Sequence, residues 1–241
     1  MSTTVASLAR RIAARLRSLP SHDAATLHRL RRQLSKEVAG EAPEIITATA
    51  MRLLELSDVP GVKMTAFALV GNHAAALGEL DASKLERLGN GLASWGDVDM
   101  FGCLLAGRAW RSGSIADSVV RRWASSSDRW WRRAALVSTV PLNVRSQGGR
   151  GDTRRTLSIC RLLVHDRDDT VVKGLSWALR ELAVRDPRAV QGFVEEQALL
   201  LAPRVIREVN NKLTTGLKNP RTSKPKTKGR PRAVSVRRLA E

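Results

Sequence analysis

Three short segments hold most of the residues in this chain whose types and spacing could do chemistry. They are Ser94-Trp95-Gly96-Asp97-Val98-Asp99, Trp130-Trp131-Arg132-Arg133-Ala134-Ala135 and Lys173-Gly174-Leu175-Ser176-Trp177-Ala178-Leu179-Arg180-Glu181. The chain has no tyrosine and only three phenylalanines, yet it has six tryptophans, and most of them fall in or near these segments. Trp95 and Asp99 are four residues apart and Trp177 and Arg180 three apart, so on helices each pair shares a face. A carboxylate and an indole face both attract a cation, and a guanidinium attracts an anion. An indole beside a carboxylate and an indole beside a guanidinium would therefore line one groove. The competing reading makes the tryptophans core and the charges ordinary surface pairs, and the spacing alone leaves both open.

The elements that must position these residues are helices. Apolar residues recur every three or four positions almost throughout, and strand-like alternation is nearly absent. The pattern predicts helices near 4–19, 22–39, 43–57, 61–78, 81–93, 98–110, 115–125, 128–140, 153–165, 168–185, 187–197 and 201–216. Asp128, Asp152 and Asp168 are expected N-caps, since a short side-chain oxygen accepts a free first-turn N–H. Pro43, Pro60 and Pro187 sit near helix starts, where a missing N–H does no harm. Short helices with tight links predict an all-α, curved α-solenoid of stacked antiparallel pairs, HEAT- or armadillo-like. The stretch Val144 to Asp152 is expected to be a flexible break in that array. An Arg-rich, acid-free start resembles a transit peptide, but Val5, Leu8, Ile12, Leu16 and Leu19 at helical spacing favour a first helix docked on the core.

Composition narrows the partner. The formal net charge is +18 over 241 residues, which argues for a polyanion, either nucleic acid or an anionic membrane surface. No run of eighteen apolar residues exists, and no clear basic amphipathic helix supports the membrane reading. Cys103 and Cys160 form no CxxC pair and the four histidines are scattered, so neither a disulfide framework nor a metal site is expected. The chain divides into a helical repeat body, 1–216, and a tail, 217–241, with nine Lys or Arg against one acid, Glu241. The tail is expected to be disordered. Within it, Lys228-Gly229-Arg230-Pro231-Arg232 resembles an AT-hook core, an element that lies in a narrow A·T minor groove. A general phosphate-binding tail is the alternative.

The three segments together resemble the AlkD-type DNA alkylation repair glycosylases, a family with HEAT-like repeats. That family carries a Trp-Asp-x-Val-Asp element, a Trp-x-x-Arg-Ala-Ala element and a Lys-Ala-Ile-Gly-Trp-x-Leu-Arg-Glu element. The order and approximate separations match here over about residues 85–210, with Gly96 in place of the family's first acidic residue. The resemblance implies that Asp99, Trp95 and Trp177 are the catalytic residues at the lesion. It implies that Arg133 and Arg180 grip DNA in the groove. Arg132, Lys173, Lys228, Arg230 and Arg232 complete the expected DNA contacts.

By this resemblance the expected function is hydrolysis of the N-glycosidic bond of cationic N3- or N7-alkylated purines in duplex DNA. No cofactor and no metal would be needed. The protein would act as a monomer in the cytoplasm, associated with the nucleoid when bound to DNA. Bond breaking builds positive charge on the deoxyribose. Asp99 and the two indoles would stabilise that charge. The alternative is a non-catalytic HEAT-like protein that binds unusual or damaged DNA.

Overall fold

The computed structural model describes residues 2–56 and 58–220. The described residues are all-helical with no strand. The elements are α1 (Ser2–Arg17), α2 (Ala24–Glu37), α3 (Pro43–Leu54), α4 (Val62–Asn72), α5 (Ala74–Gly78), α6 (Ala82–Leu88) and α7 (Trp95–Met100). A π-helical segment, Phe101–Ala106, joins α7 to α8 (Gly107–Ser112) without a break. Then follow α9 (Asp117–Ala124), α10 (Arg129–Val137), α11 (Val140–Asn143), a 3-10 turn at Arg145–Gln147, α12 (Thr153–Leu162), α13 (Asp169–Ala183), α14 (Pro187–Glu196) and α15 (Pro203–Thr215). Consecutive helices pair, as α3 with α4, α9 with α10 and α12 with α13. The second members also pack in sequence, α4 on α7, α7 on α10, α10 on α13 and α13 on α15. That arrangement is an α-solenoid, as the periodicity predicted.

The caps fall where local chemistry places them. Asp128, Asp152 and Asp168 accept from the backbone N–H of Trp130, Arg155 and Thr170, at 2.8, 2.9 and 2.8 Å. Pro43 and Pro187 open α3 and α14. Leu8, Ile12 and Leu16 bury one face of α1, which docks on α3. One continuous apolar core runs the length of the stack, and complete burial of a Leu or Phe side chain contributes roughly 1.5–3 kcal/mol. Phe67 and Phe101 are its central aromatic pair, ring centroids 5.8 Å apart.

Three expectations need correction. The helix expected over 61–78 is two helices, broken at His73. The imidazole caps α5 by accepting from Ala76 N–H at 3.1 Å, and its other nitrogen lies 3.1 Å from the Glu41 carbonyl. The helix expected to begin at 98 begins at Trp95, because Ser94 Oγ accepts from Asp97 N–H at 3.2 Å and caps it. The third correction concerns 144–152, which is packed rather than flexible. Arg111 donates to the Pro141 and Gln147 carbonyls, Arg185 to the Asn143 carbonyl, and Gly151 N–H to the Leu142 carbonyl. Gly148 and Gly151 make the turns at φ +85° and +100°, values other residues rarely adopt. Gly149 lies so close to the α11 backbone that a Cβ there would stand 2.7 Å from Asn143 N.

Candidate functional site

Asp99 lies one turn after Trp95 on α7, directly before the π-helical segment. That segment adds backbone to one turn, and such bulges are frequent at functional sites. The helix 95–112 is largely buried, but Asp99, Met100, Cys103, Leu104 and Arg108 form a partly exposed stripe along it. The helix that carries the stripe packs against both α4 and α10.

A single guanidinium ties the first two sequence segments to the first turn of α13. Arg133 of α10 is 3% exposed. Its Nε and Nη2 donate to Asp99 Oδ1 at 3.0 and 2.7 Å, and its Nη1 donates to the Thr170 carbonyl on α13 at 2.9 Å. Its guanidinium carbon lies over the Trp95 ring, 4.0 Å from the centroid. Lys173 Nζ stands over the same ring at 4.7 Å and also pairs with Asp169 at 2.5 Å.

Burial pushes the Asp99 carboxyl up from its ordinary value, and the Arg133 charge and hydrogen bond draw it back down. Burial lowers Arg133 in turn, opposed by Asp99. Half-buried charges in a low-dielectric setting interact more strongly than exposed ones. The Cys103 thiol, one turn past Asp99, is pushed up to about 12, first by burial and then by the nearby Asp99 charge, with Glu181 adding to it. Glu181 lies on α13, one turn past Trp177. It accepts from Trp177 Nε1 at 3.0 Å, which fixes the indole.

Trp95, Asp99, Arg133 and Lys173 thus converge, while Trp177 on α13 is fixed by Glu181. Two other expected residues have different surroundings. Arg132 is spent on Asp166, at 2.6 Å, and on the carbonyls of Ser126 and Ser127 at 3.0 and 2.8 Å, so it fastens neighbouring helix links. Arg180 is half-buried and donates to Ser176 Oγ at 3.2 Å, while Ser176 donates to the buried Glu208 at 2.6 Å. Arg133 itself was expected to grip phosphate, but its donors are turned inward on Asp99 and Thr170. Lys228, Arg230 and Arg232 lie outside the described residues. Sequence reasoning assigned no role to Cys103 or Glu181, although the i, i+4 spacing from Asp99 and from Trp177 marks both. It also missed Arg31 of α2, whose Nη1 reaches Met100 Sδ at 3.2 Å. No local pattern in Arg29-Leu30-Arg31-Arg32 singles that residue out.

Among the described residues, no helix is long and apolar enough to cross a membrane, and no group of three or more His, Cys, Asp or Glu is placed to hold a metal ion. The fold and the Arg133 cluster define a helical-repeat protein with a charged site built around one exposed tryptophan. The family model of the DNA alkylation repair enzyme matches residues 23–213, and the chain belongs to that family. No curated protein and no solved structure matches it. Membership makes DNA the partner and alkylation repair the process.

Proposed function

We propose that the protein is a DNA glycosylase, acting as a monomer, that hydrolyses the N-glycosidic bond of cationic N3- or N7-alkylated purines in duplex DNA. The observation that carries this reading is the Arg133 cluster, which holds Asp99 and Trp95 together. An alkylated purine is already cationic, so it leaves readily and positive charge grows on the deoxyribose. Ionised Asp99, oriented through Oδ1 by Arg133, keeps its second oxygen for that charge or for the attacking water. A preorganised charge of this kind is commonly the largest catalytic contribution. Trp95 and Trp177 present indole faces to the sugar, each worth roughly 0.5–2 kcal/mol. Lys173, exposed at the rim, leaves the Trp95 face for a phosphate when DNA enters. Arg180 contributes a second groove contact. The basic segment 217–241 serves as a separate DNA-holding element beside the helical body 1–216.

One observation favours a second reading. Trp95 already has Arg133 and Lys173 over its ring, and Asp99 is already paired, so the cluster is satisfied without a substrate. A non-catalytic protein that recognises damaged DNA would have the same groove. Incubation with duplex DNA carrying 7-methylguanine or 3-methyladenine, followed by chromatography for the free base, separates the two. Release above the spontaneous rate, without metal or cofactor, is the expected result. DNA-bound, folded protein that releases no base removes the glycosylase reading and promotes the second.

A further inference from the structure

Most half-buried arginines in this protein have a carboxylate nearby. Arg133 has Asp99, and Arg180 has Glu208 and Glu181. Arg155 has Asp117 and Arg132 has Asp166. Three depart from the rule: Arg111 spends its donors on the Pro141 and Gln147 carbonyls, and the other two are Arg31 and Arg108. Arg31 of α2 donates Nε to the Leu27 carbonyl at 3.1 Å and Nη1 to the thioether sulfur of Met100 at 3.2 Å. Arg108 of α8 donates Nη1 to the Gly71 carbonyl. Among the described residues neither forms an ion pair. Burial alone lowers Arg31, and for Arg108 the charge that adds to burial is another cation, Arg111.

Placing a charge in partial burial without a counter-ion costs free energy, and a thioether is a weak acceptor. Both guanidinium groups sit where a ligand would relieve that cost. Met100 and Arg108 belong to the partly exposed stripe that carries Asp99. Arg31 overhangs the stripe from α2, held in place by the buried Leu27, Leu30 and Leu34. One turn further along α2, Ser35 Oγ accepts from Asn72 Nδ2 at 3.1 Å, beside the Gly71 carbonyl that receives Arg108. Met100 and Arg108 are eight residues apart, roughly 12 Å of helix axis. A DNA strand advances about 3.4 Å per nucleotide, so that distance spans roughly three to four nucleotides.

We propose that Arg31 and Arg108 form a phosphate-binding strip on the α2–α4 side of the groove, opposite α13, and grip the backbone of the duplex there. With α13 on one side and this strip on the other, the strand would be held across Asp99. The inference rests on the reading that the groove holds duplex DNA. It does not rest on base excision.

The test measures affinity for an undamaged duplex by fluorescence anisotropy across a salt series. The variants are Arg31→Gln, Arg108→Gln, the double variant, Arg31→Lys and the control Arg161→Gln, whose arginine pairs with Glu196 between α12 and α14. Each lost phosphate contact should make the slope of log affinity against log salt shallower by about 0.9, so the double variant should lose about twice that. Arg31→Lys should keep the parent slope. Melting temperatures of the Gln variants should hold or rise, because an unpaired buried charge is removed; a structural role would lower them. An unchanged slope in the folded double variant overturns the inference, and so does an equal slope loss in Arg161→Gln. Parent protein that binds the duplex but excises nothing removes the glycosylase reading and leaves this one standing.

Discussion

Two aromatic clusters meet on the helix 95–112, and they are built from similar residues to opposite ends. On one face Phe101 packs against Phe67, Trp123 and Trp131, with ring centroids 5.7 to 5.9 Å apart. On the groove face, Trp95 is 37% exposed and lies under two cations, beside a carboxylate. The first cluster has spent its rings on one another. The second leaves part of its indole and part of its carboxylate exposed. The difference teaches that a tryptophan count marks a region but not a role; what stands over each ring assigns the role.

The largest expected effect tests the core side. Trp123 is 3% exposed and donates Nε1 to Glu86 at 2.9 Å. Trp123→Ala should lower unfolding free energy by about 3–5 kcal/mol, through lost burial and the cavity left behind. Denaturant unfolding measures this. At a temperature where the variant remains folded, single-turnover excision should match the parent. A large rate loss in folded protein would show that the two clusters are not separable.

Asp99→Asn tests the groove side. It keeps the shape and removes the charge, so the excision rate should fall at least about tenfold, while DNA affinity holds or rises slightly. An unchanged single-turnover rate would mean that Asp99 is only Arg133's structural partner. The pH profile sharpens the point. Burial raises the Asp99 carboxyl above the ordinary 3.8, opposed in part by Arg133. The native state therefore holds that proton to higher pH than the unfolded chain does, and this group's contribution to stability falls as pH rises through the raised value. Excision runs the other way, because it needs the ionised form. The acid limb of kcat/KM should lie above 3.8 and should vanish in Asp99→Asn.

The smallest effect belongs to Trp95. Trp95→Ala removes a partly exposed ring, so the melting temperature should move little compared with Trp123→Ala. Loss of a contact worth about 0.5–2 kcal/mol should slow excision by roughly 2- to 30-fold. A melting temperature that falls as far as in Trp123→Ala would make Trp95 a core residue after all and erase the contrast between the clusters.

The sequence by itself determined most of the helices, most caps and which three segments concentrate the reactive residue types. Those features are local: an apolar residue every three or four positions, an Asp or Ser before a first turn, a proline at a start. The Trp95–Asp99 pair was legible for the same reason, because helical geometry sets an i, i+4 neighbour without help from the rest of the chain. The break at His73 was not legible, since it depends on the Glu41 carbonyl from the link between α2 and α3. Nor was the ordering of 144–152, which Arg111 and Arg185 impose from elements before and after it. Arg132 and Arg133 show the limit most sharply. They are adjacent in a run of similar residues, yet one step along α10 rotates the side chain by about 100°. Tertiary structure alone decided that Arg132 meets Asp166 while Arg133 turns inward to Asp99, Trp95 and Thr170. An arginine's partner is fixed by which helices pack beside it, and that information lies more than thirty residues away in both directions.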